Sequence, residues 1–363
     1  MKIGIMTFHN AQNYGAVLQA YALKKFLQKE NPSYTVEIVD YKNASIEQSY
    51  QCFRPWSAFA HRGVRRLASF LLQFYYLFDR VALKRVFKEF VCEWLEPVNE
   101  GFDVYDCMMY GSDQIWNPSI TGNDTSYFGK GFAGKKIAYA ASDGGELVLG
   151  EENISLLQDF HAISCREKSL SHKLSQHLPE KSVETVCDPV FLLSKEEWLS
   201  FASPPKERNY VLIYKIVDNK EIDTEAEAFA RKWGKQVIQI VYAKNIRKIF
   251  CCAQKIIRAI TPNQFVGYFA HADLVLTTSF HGTAFSILLE KDFYTFQFVH
   301  RSGRVLDLLQ EFELSNRFVS KLSLYQNENQ KIDWTEVARR KEGYRQRSAD
   351  FLATSLQALD STN

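Results

Sequence analysis

Short apolar runs and longer segments with helical periodicity alternate along most of the chain. The apolar runs predict buried strands over residues 2–7, 36–40, 105–110, 136–141, the start of 160–167, 183–187, 210–216, 236–242, 273–278 and 293–298. Apolar positions near the 3.6-residue period predict helices over residues 14–29, 223–233, 283–290 and 332–359. Continuous apolar runs are typical of strands covered on both faces. The alternation therefore predicts an α/β protein with doubly wound parallel sheets.

Residues 261–298 show this alternation most clearly. Thr261 and Gln264 form a capping-box pattern around Pro262, which predicts a helix start. The strand over 273–278 then runs into a short loop, and the next helix follows at once. His281 is therefore expected at the carboxyl end of a strand and in the first turn of a helix, which is where open parallel sheets bind ligands.

A helix start offers N–H groups and partial positive charge to an anion. Ser279, Gly282 and Thr283 surround His281 and are small enough to let a ligand approach the backbone. A single histidine among apolar residues is more often structural than functional. Both interpretations of His281 stay open from the spacing.

Polar or charged residues also follow most of the other predicted strands. Candidate site residues at these strand ends, or shortly after them, are Asn13, Gly15, Ser112, Asp113, Gln114, Ser142, Arg166, Asp188, Lys215 and Arg304. Side chains in such places can bind sugar hydroxyls, orient a nucleophile or, for arginine, hold a carboxylate or phosphate. They can equally be helix caps and turn residues.

Composition narrows the classes of function. The net charge of +2 indicates no polyanionic partner, so no nucleic acid is expected. The G-x-G-x-x-G fingerprint is absent after the first strand, which argues against a nicotinamide or flavin cofactor. Seven cysteines without a C-x-x-C pair indicate reduced thiols and no metal site. With no signal-peptide pattern or membrane-length apolar run, we expect a cytoplasmic protein.

The length of 363 residues predicts two domains. We expect an N-terminal domain over 1–203 with a helical insertion at about 50–95, and a C-terminal domain over 204–331. The final helix lies within 332–363, and packing back on the N-terminal domain is one arrangement open to it.

The inserted segment from Tyr50 to Lys88 is basic and rich in aromatic residues. It carries eight Arg or Lys residues against Asp79 alone. A basic, aromatic helix pair can lie on an anionic membrane surface, which would make the protein peripheral at the inner face of the cytoplasmic membrane. The alternative is a helical hairpin that packs its aromatic side chains on the domain and leaves its arginines in water.

Several ordered segments together resemble the polysaccharide pyruvyl transferase family. They are FHNAQNYGAVLQAYAL, GSDQIWNP, KIAYAAS, ISCRE, CDPVFLL and FVGYFAHADLVLTTSFHGTAFSILL, and they cover most of the chain. The resemblance implies two Rossmann-like domains that face each other across a cleft, as in GT-B glycosyltransferases. It also implies transfer of pyruvate from phosphoenolpyruvate to a sugar, usually forming a cyclic ketal, on a polymer or a polyprenyl-linked precursor. No cofactor is implied, since phosphoenolpyruvate is the donor substrate.

The resemblance also gives roles to particular residues. His281 matches the family's His-Gly motif and would be the proton donor or stabilise the leaving phosphate. Arg166 matches the arginine of ISCRE and would hold phosphate or carboxylate. Asp113 or Asp188 would activate a sugar hydroxyl.

One motif departs from the family pattern. Ser279-Phe280-His281-Gly282 stands where studied members carry Arg-Leu-His-Gly. A replacement cation would come from Arg301, Arg304, Lys215 or the basic cluster over 244–258. Two alternatives remain: a GT-B-type glycosyltransferase that uses a sugar nucleotide, and a non-catalytic binding protein with a degenerate site.

Overall fold

The computed structural model describes residues 1–51, 75–241, 252–297, 303–320 and 331–360. The strands are β1 Lys2–Met6, β2 Thr35–Ile38, β3 Cys107–Tyr110, β4 Lys135–Ala141, β5 Ala162–Cys165, β6 Val183–Thr185, β7 Tyr210–Lys215, β8 Gln236–Val241, β9 Lys255–Ile257, β10 Leu274–Thr277, β11 Phe293–Phe296 and β12 Phe318–Val319. The helices are α1 Tyr14–Glu30, α2 Ala44–Ser49, α3 Leu77–Phe90, α4 Pro118–Thr121, α5 Glu151–Gln158, α6 Lys168–His177, α7 Lys195–Phe201, α8 Lys220–Trp233, α9 Pro262–His271, α10 Phe280–Leu288, α11 Gly303–Glu311 and α12 Trp334–Asp360.

The strands form two six-stranded sheets with helices packed around them. The first has the order β2-β1-β3-β4-β5-β6 and the second β12-β11-β10-β7-β8-β9. Neighbouring strands in both sheets are parallel. Strands such as β3, β7 and β10 are buried along their whole length, as their continuous apolar sequence predicts. The predicted class, an α/β protein with two Rossmann-like units, is confirmed.

The helix starts near the second sheet follow capping chemistry. Thr261 and Gln264 form the predicted capping box at the start of α9. The start of α10 was predicted three residues too late. Helix α10 begins at Phe280 because the Ser279 side chain caps it, accepting the Gly282 N–H at 3.3 Å. This earlier start makes His281 the second residue of the helix.

Aromatic contacts join the two sheets' helical layers. The Tyr14 ring at the start of α1 stacks on Phe265 of α9, with centroids 4.4 Å apart. The Tyr14 hydroxyl donates to the Ile260 carbonyl at 3.2 Å. Trp198 of α7 meets Phe285 of α10 edge-on at 5.1 Å. Such aromatic pairs contribute about 0.5–1.5 kcal/mol each beyond the area they bury, so the start of α1 is held firmly against the second half of the chain.

The C-terminal helix α12 packs beside the first sheet. The Ser348 hydroxyl accepts the Cys187 N–H at 2.8 Å, and the Phe351 ring lies 6.3 Å from that of Tyr139 in β4. The chain thus returns to its N-terminal half after completing the second sheet.

The basic segments of the sequence are only partly described. Three ranges lie outside the described residues: 52–74, 242–251 and 298–302. The first contains most of the Tyr50–Lys88 insertion, the second contains Lys244, Arg247 and Lys248, and the third contains Arg301. In the remainder of the second cluster, Lys255 pairs with Glu207, and Arg258 lies 3.5 Å from Asp79. None of the helices that the structure describes is both long and apolar enough to cross a membrane.

Candidate functional site

Two helix N-termini meet at the centre of the site. Helix α1 is capped by Asn13, whose side chain accepts the Gly15 N–H at 3.0 Å, and α10 is capped by Ser279. Gly15 lies directly against the His281 imidazole: a Cβ on Gly15 would fall 2.0 Å from Nδ1. The absence of a side chain at Gly15 therefore allows the two halves of the chain to approach closely. The positive ends of both helix dipoles lie near this ring.

His281 belongs to a buried chain of charged groups. Its Nε2 lies 3.4 Å from Asp188 Oδ2 and has no hydrogen-bond partner within the described part of the protein. Asp188 is 1% exposed, caps the turn that follows it and also pairs with Arg166 Nη1. Asp188 thus links the imidazole of the second half to the guanidinium at the edge of the first sheet.

Arg166 is surrounded by three carboxylates. Besides Asp188, its Nη2 lies 3.5 Å from Asp113 Oδ1 and its Nε lies 3.8 Å from Glu167 Oε1. Its guanidinium carbon also lies 4.5 Å from the centre of the Phe280 ring. Arg166 Nε and Nη2 still make no hydrogen bond to the described residues. Both atoms are inaccessible to water, so Arg166 acts on the site through the carboxylates that surround it.

Mutual interactions shift the pKa values of this cluster. Burial alone would raise the pKa of Asp188, but the charges of His281 and Arg166 hold it well below its usual range. Burial pulls the pKa of Arg166 down, and the surrounding carboxylates more than offset this and raise it. Burial raises the pKa of Glu167 despite Arg166 and Arg304 nearby. Asp188 and Arg166 are therefore a permanent ion pair near neutral pH.

A cavity of about 330 Å³, the front cavity, opens beside the imidazole. Six of the predicted site residues line it: Asn13, Asp113, Gln114, Ser279, His281 and Arg304. At roughly 30 Å³ per water, it has space for about eleven waters. A three-carbon phosphate ester and part of a sugar ring would occupy such a space.

Arg304, in the first turn of α11, is the one Arg or Lys that the described chain contributes to the lining of the front cavity. Its Nε lies 3.8 Å from Glu167 Oε1, and its guanidinium carbon lies 6.0 Å from the Phe280 ring centre. The Gln114 amide fits best with its oxygen toward Arg304, 3.2 and 3.3 Å from the two terminal nitrogens. Arg304 thereby connects the second sheet to strand ends of the first.

Other candidate residues support the framework. Gly282 packs on β10, since a Cβ there would lie 2.3 Å from Thr277 Oγ1. Thr283 donates to the Ser279 carbonyl at 3.0 Å and shares a 2.7 Å hydrogen bond with Thr295. Both are buried and outside the front cavity's lining. Their binding roles stay predictions, and the structure gives them packing roles.

Lys215, Ser142 and Ser112 lie outside this lining. The Lys215 ammonium is held by both oxygens of Asp223, at 2.7 and 2.8 Å. Ser142 donates to Glu167, and the buried Ser112 hydroxyl has no hydrogen-bond partner in the described chain. Asp188, expected to act on a sugar hydroxyl, is instead enclosed between Arg166 and His281, whereas Asp113 reaches the cavity.

Two residues of the site escaped the sequence reasoning. Glu167 follows Arg166 directly and lies at the centre of the charges, yet charged residues at strand ends are common and nothing marked it. Phe280 looks like a core residue, but its ring packs against two guanidinium groups. Its position next to His281 was the only available signal.

The arrangement can bind an anion and move a proton. Two arginines, Arg166 and Arg304, face three carboxylates, Asp113, Asp188 and Glu167, so these groups carry a formal charge of −1. Attraction for an anion then comes from the helix starts, worth about half a charge each, and from protonation of His281. Within the described ranges, no three His, Cys, Asp or Glu side chains converge as metal ligands.

Comparisons with solved structures agree with this architecture. The structure is similar over 99% of the chain to UDP-GlcNAc 2-epimerase from Neisseria meningitidis bound to UDP-GlcNAc, with 100% of that chain covered, a TM-score of 0.50 and 12% identity. It is also similar over its full length to UDP-N-acetylglucosamine 2-epimerase from Rickettsia bellii, with 97% of that chain covered, a TM-score of 0.51 and 12% identity. At these identities the likeness concerns the fold alone, a GT-B-like pair of Rossmann-like domains facing across a cleft.

Comparisons of sequence are more specific. No curated protein matches the chain. The family model for polysaccharide pyruvyl transferase, however, matches residues 13–297. This span begins at the Asn13 cap, passes through Arg166 and Asp188 and includes His281, so the match covers most of the front cavity's elements and the strands β2 to β11. Strands β1 and β12 and Arg304 lie outside it. The chain therefore belongs to the polysaccharide pyruvyl transferase family, as its motifs predict.

Proposed function

We propose that the protein transfers pyruvate from phosphoenolpyruvate to two hydroxyls of one sugar in a surface polysaccharide or its lipid-linked precursor. One observation supports this most directly. The His281 ring lies at the wall of the front cavity and between two helix N-termini, and its Nε2 lies 3.4 Å from the buried carboxylate of Asp188. This site suits proton transfer beside a bound anion.

The reaction needs a proton and a pair of hydroxyls. A proton adds to the methylene carbon of phosphoenolpyruvate, which becomes a methyl group, while the first sugar oxygen bonds to the adjacent carbon. The second sugar oxygen then bonds to the same carbon as the carbon–phosphate oxygen bond breaks. The two hydroxyl protons replace the proton donated by the enzyme and protonate the phosphate, so the products are a cyclic ketal and inorganic phosphate.

His281 is the proposed proton donor. Asp188 lies next to Nε2 and orients the ring, while the edge carrying Nδ1 lies over Gly15, beside Asn13 in the cavity lining. A donor phosphate near the ring favours its protonated form. In this scheme Asp188 is a positioning residue, because it touches His281 and Arg166 and does not line the front cavity.

Asp113 is the better placed of the two aspartates to accept a proton from the sugar. It lines the front cavity, whereas Asp188 does not, and it lies 3.5 Å from Arg166. Gln114, its neighbour, is positioned to bind a sugar hydroxyl.

Arg304 is the proposed replacement for the family arginine. It shares the front cavity with Ser279, the residue at the family arginine's position in sequence. Its guanidinium would hold the donor's carboxylate or phosphate. Arg166 does not line this cavity and would act on the site through Asp113 and Asp188, which it contacts.

Calorimetric titration of the purified protein with phosphoenolpyruvate tests the donor. We expect saturable binding, and with a pyruvylatable sugar we expect phosphate release that falls by about 10²–10⁴-fold in His281→Ala. His172→Ala, which removes an exposed histidine on α6, is the matched control and should behave as wild type. If the wild-type protein binds a sugar nucleotide but not phosphoenolpyruvate, the result would favour the glycosyltransferase alternative. Binding to neither would favour the non-catalytic one.

Mass spectrometry of the organism's surface glycan gives the cellular test. A strain without the protein should lose one pyruvate-sized increment from a single sugar. Identical glycans from both strains would reject the acceptor class.

A peripheral membrane contact is a second part of the proposal. The exposed side of α3, together with Tyr75 two residues before it, carries apolar and basic side chains: Tyr75, Phe78, Val81, Lys84, Arg85 and Lys88. This combination suits an anionic lipid surface. We expect salt-sensitive co-sedimentation with anionic but not zwitterionic vesicles, weakened by Phe78→Glu. Val148→Glu alters an equally exposed residue elsewhere and should leave sedimentation unchanged. Equal sedimentation of both variants would argue against this surface.

A further inference from the structure

A second, smaller cavity lies on the other side of Phe280 and Arg304. We call it the rear cavity. Its volume is about 160 Å³, and Phe280 and Arg304 line both cavities. Its wall is otherwise formed by residues from β6, α6, α11 and α12 and by the strand end after β5. The Phe280 side chain therefore separates two spaces that share one arginine.

The rear cavity is rich in cations. Arg166, Lys168, Arg304 and Arg347 line it, against the acids Asp307 and Glu311. Arg166 is 4% exposed, while Lys168 and Arg347 are exposed, so the charges run from an interior wall to an open rim. Formally the lining carries four positive and two negative charges.

Both acids already interact with neighbours. Asp307 accepts the backbone N–H of Lys168 at the start of α6. Glu311 pairs with Arg347. The interior guanidinium of Arg166 is already compensated by Asp113, Glu167 and Asp188, none of which lines the rear cavity. Attraction for a small anion therefore comes chiefly from the rim cations Lys168 and Arg347.

The volume of the rear cavity indicates the size of ligand that it can enclose. At roughly 30 Å³ per water, the rear cavity has space for about five waters. A tetrahedral oxyanion has five heavy atoms and fits within this volume. Thr185 adds a hydroxyl to the wall, and the Tyr344 ring closes one side.

We propose that the rear cavity binds inorganic phosphate, with Arg347 and Lys168 at its rim and Arg304 shared with the front cavity. The assignment of the phosphate as reaction product rests on the proposed function, because that reaction releases phosphate next to Arg304. Phosphate from solution would reach the same cavity through its open rim. Phe280 is the barrier that a product ion has to pass.

Phosphate binding to the full-length protein tests the site without any other substrate. We expect calorimetry or ³¹P line broadening to detect inorganic phosphate, and Arg347→Ala to weaken it about three- to tenfold, less at high salt. Arg345→Ala is the matched control: it lies on the same helix, pairs with Glu342 at 2.7 Å and is absent from the rear cavity's lining. It should bind phosphate as wild type does.

Distinct outcomes would overturn the proposal. Undetectable phosphate binding by the wild type would do so, as would equal affinity in Arg347→Ala and Arg345→Ala. Phosphate binding lost in His281→Ala but unchanged in Arg347→Ala would assign the ion to the front cavity instead. None of these results depends on turnover of phosphoenolpyruvate, so failure of the proposed reaction and failure of the rear site are separable.

The source of the ion needs one further measurement. If phosphate reaches the rear cavity as a product, Phe280→Ala should change phosphate release during turnover while Arg347→Ala changes the product-inhibition constant. If only external phosphate binds there, Arg347→Ala should weaken equilibrium binding and leave product inhibition unchanged, which would reject the product route while keeping the site.

Discussion

Gly15→Ala is the substitution that tests the front cavity most sharply. The added Cβ would lie 2.0 Å from His281 Nδ1, 2.3 Å from Cγ and 2.5 Å from Cε1. An ordinary contact begins near 3.4 Å, so the ring and the helix start must separate by about 3.4 − 2.0 = 1.4 Å. The ring has little freedom, because Asp188 lies on its Nε2 side and the Phe280 ring meets it edge-on at 5.2 Å.

Two effects of the substitution oppose each other. Alanine is favoured over glycine in a helix by up to about 1 kcal/mol. Overpacking a filled space costs about 1–3 kcal/mol, so the net change in the free energy of unfolding should be a loss of about 0–2 kcal/mol. The protein should stay folded. The displaced imidazole is the larger consequence, since a shift near 1 Å in a reacting group costs about 10²-fold in rate.

Gly343→Ala provides the control. Gly343 lies within α12, and a Cβ there meets only Arg347 Nη1 at 3.8 Å. It should therefore stabilise the protein by roughly 0.5–1 kcal/mol without affecting the site. Denaturant unfolding, calorimetry with phosphoenolpyruvate and phosphate release should be measured for both variants. If Gly15→Ala matches Gly343→Ala in stability and the wild type in turnover, the close approach of α1 to His281 has no functional importance.

Three further predictions concern charged residues. Asp188→Asn should lower the free energy of unfolding by about 3 kcal/mol at pH 7, because it leaves Arg166 buried without its main partner. The pKa of Asp188 is depressed in the folded state. Its contribution to the free energy of unfolding is therefore fully present above the unfolded pKa, near 4, and is lost as the pH falls through the folded pKa. The stabilities of the wild type and the mutant should converge in acid. Arg304→Gln should weaken phosphoenolpyruvate binding about tenfold or more. The exposed control Arg339→Gln should bind it as the wild type does. If Arg304→Gln also binds with unchanged affinity, Arg304 is not the cation that holds the donor. Lys215→Met should leave that affinity unchanged while altering thermal stability, since Asp223 already holds the ammonium; a loss of affinity would restore Lys215 to the binding residues.

The sequence predicts the place of the site better than its internal chemistry. The hydrophobic pattern orders the strands, and parallel strands bring their carboxyl ends to one edge, so the locations of Asn13, Asp113 and His281 follow from spacing alone. Which charges neutralise one another does not follow. Arg166 meets Asp188 from another strand end, and Lys215 meets Asp223 across a turn and a helix start. These pairings depend on side-chain directions that periodicity does not encode.

The late prediction for the start of α10 has a related cause. Apolar periodicity becomes clear only after Gly282, whereas the helix begins at a cap that makes a single hydrogen bond, from Gly282 N–H to Ser279. The predicted Thr261 capping box succeeded because two residues at fixed spacing signal it. Function adds to the difficulty here, because a ligand-facing helix start keeps small and polar residues that weaken the apolar pattern.

The hydrogen bond from Gly282 N–H to the Ser279 side chain gives a physical reason why this chain has serine where studied family members have arginine. Serine is among the preferred N-cap residues, and replacing such a cap costs roughly 0.5–2 kcal/mol, so an arginine at this position would give α10 a weaker start. Moving the cation to Arg304 avoids that conflict. Strand β11 pairs directly with β10, and α11 comes after β11 in the chain, so a long side chain at its start reaches the same cavity. Phe280 contributes to the same arrangement, because its ring packs against both Arg166 and Arg304. Under the proposed function, the Ser279 cap, the Phe280 ring and Arg304 would together present positive charge to the donor, so the Ser279-Phe280 pair need not be the remnant of a lost site.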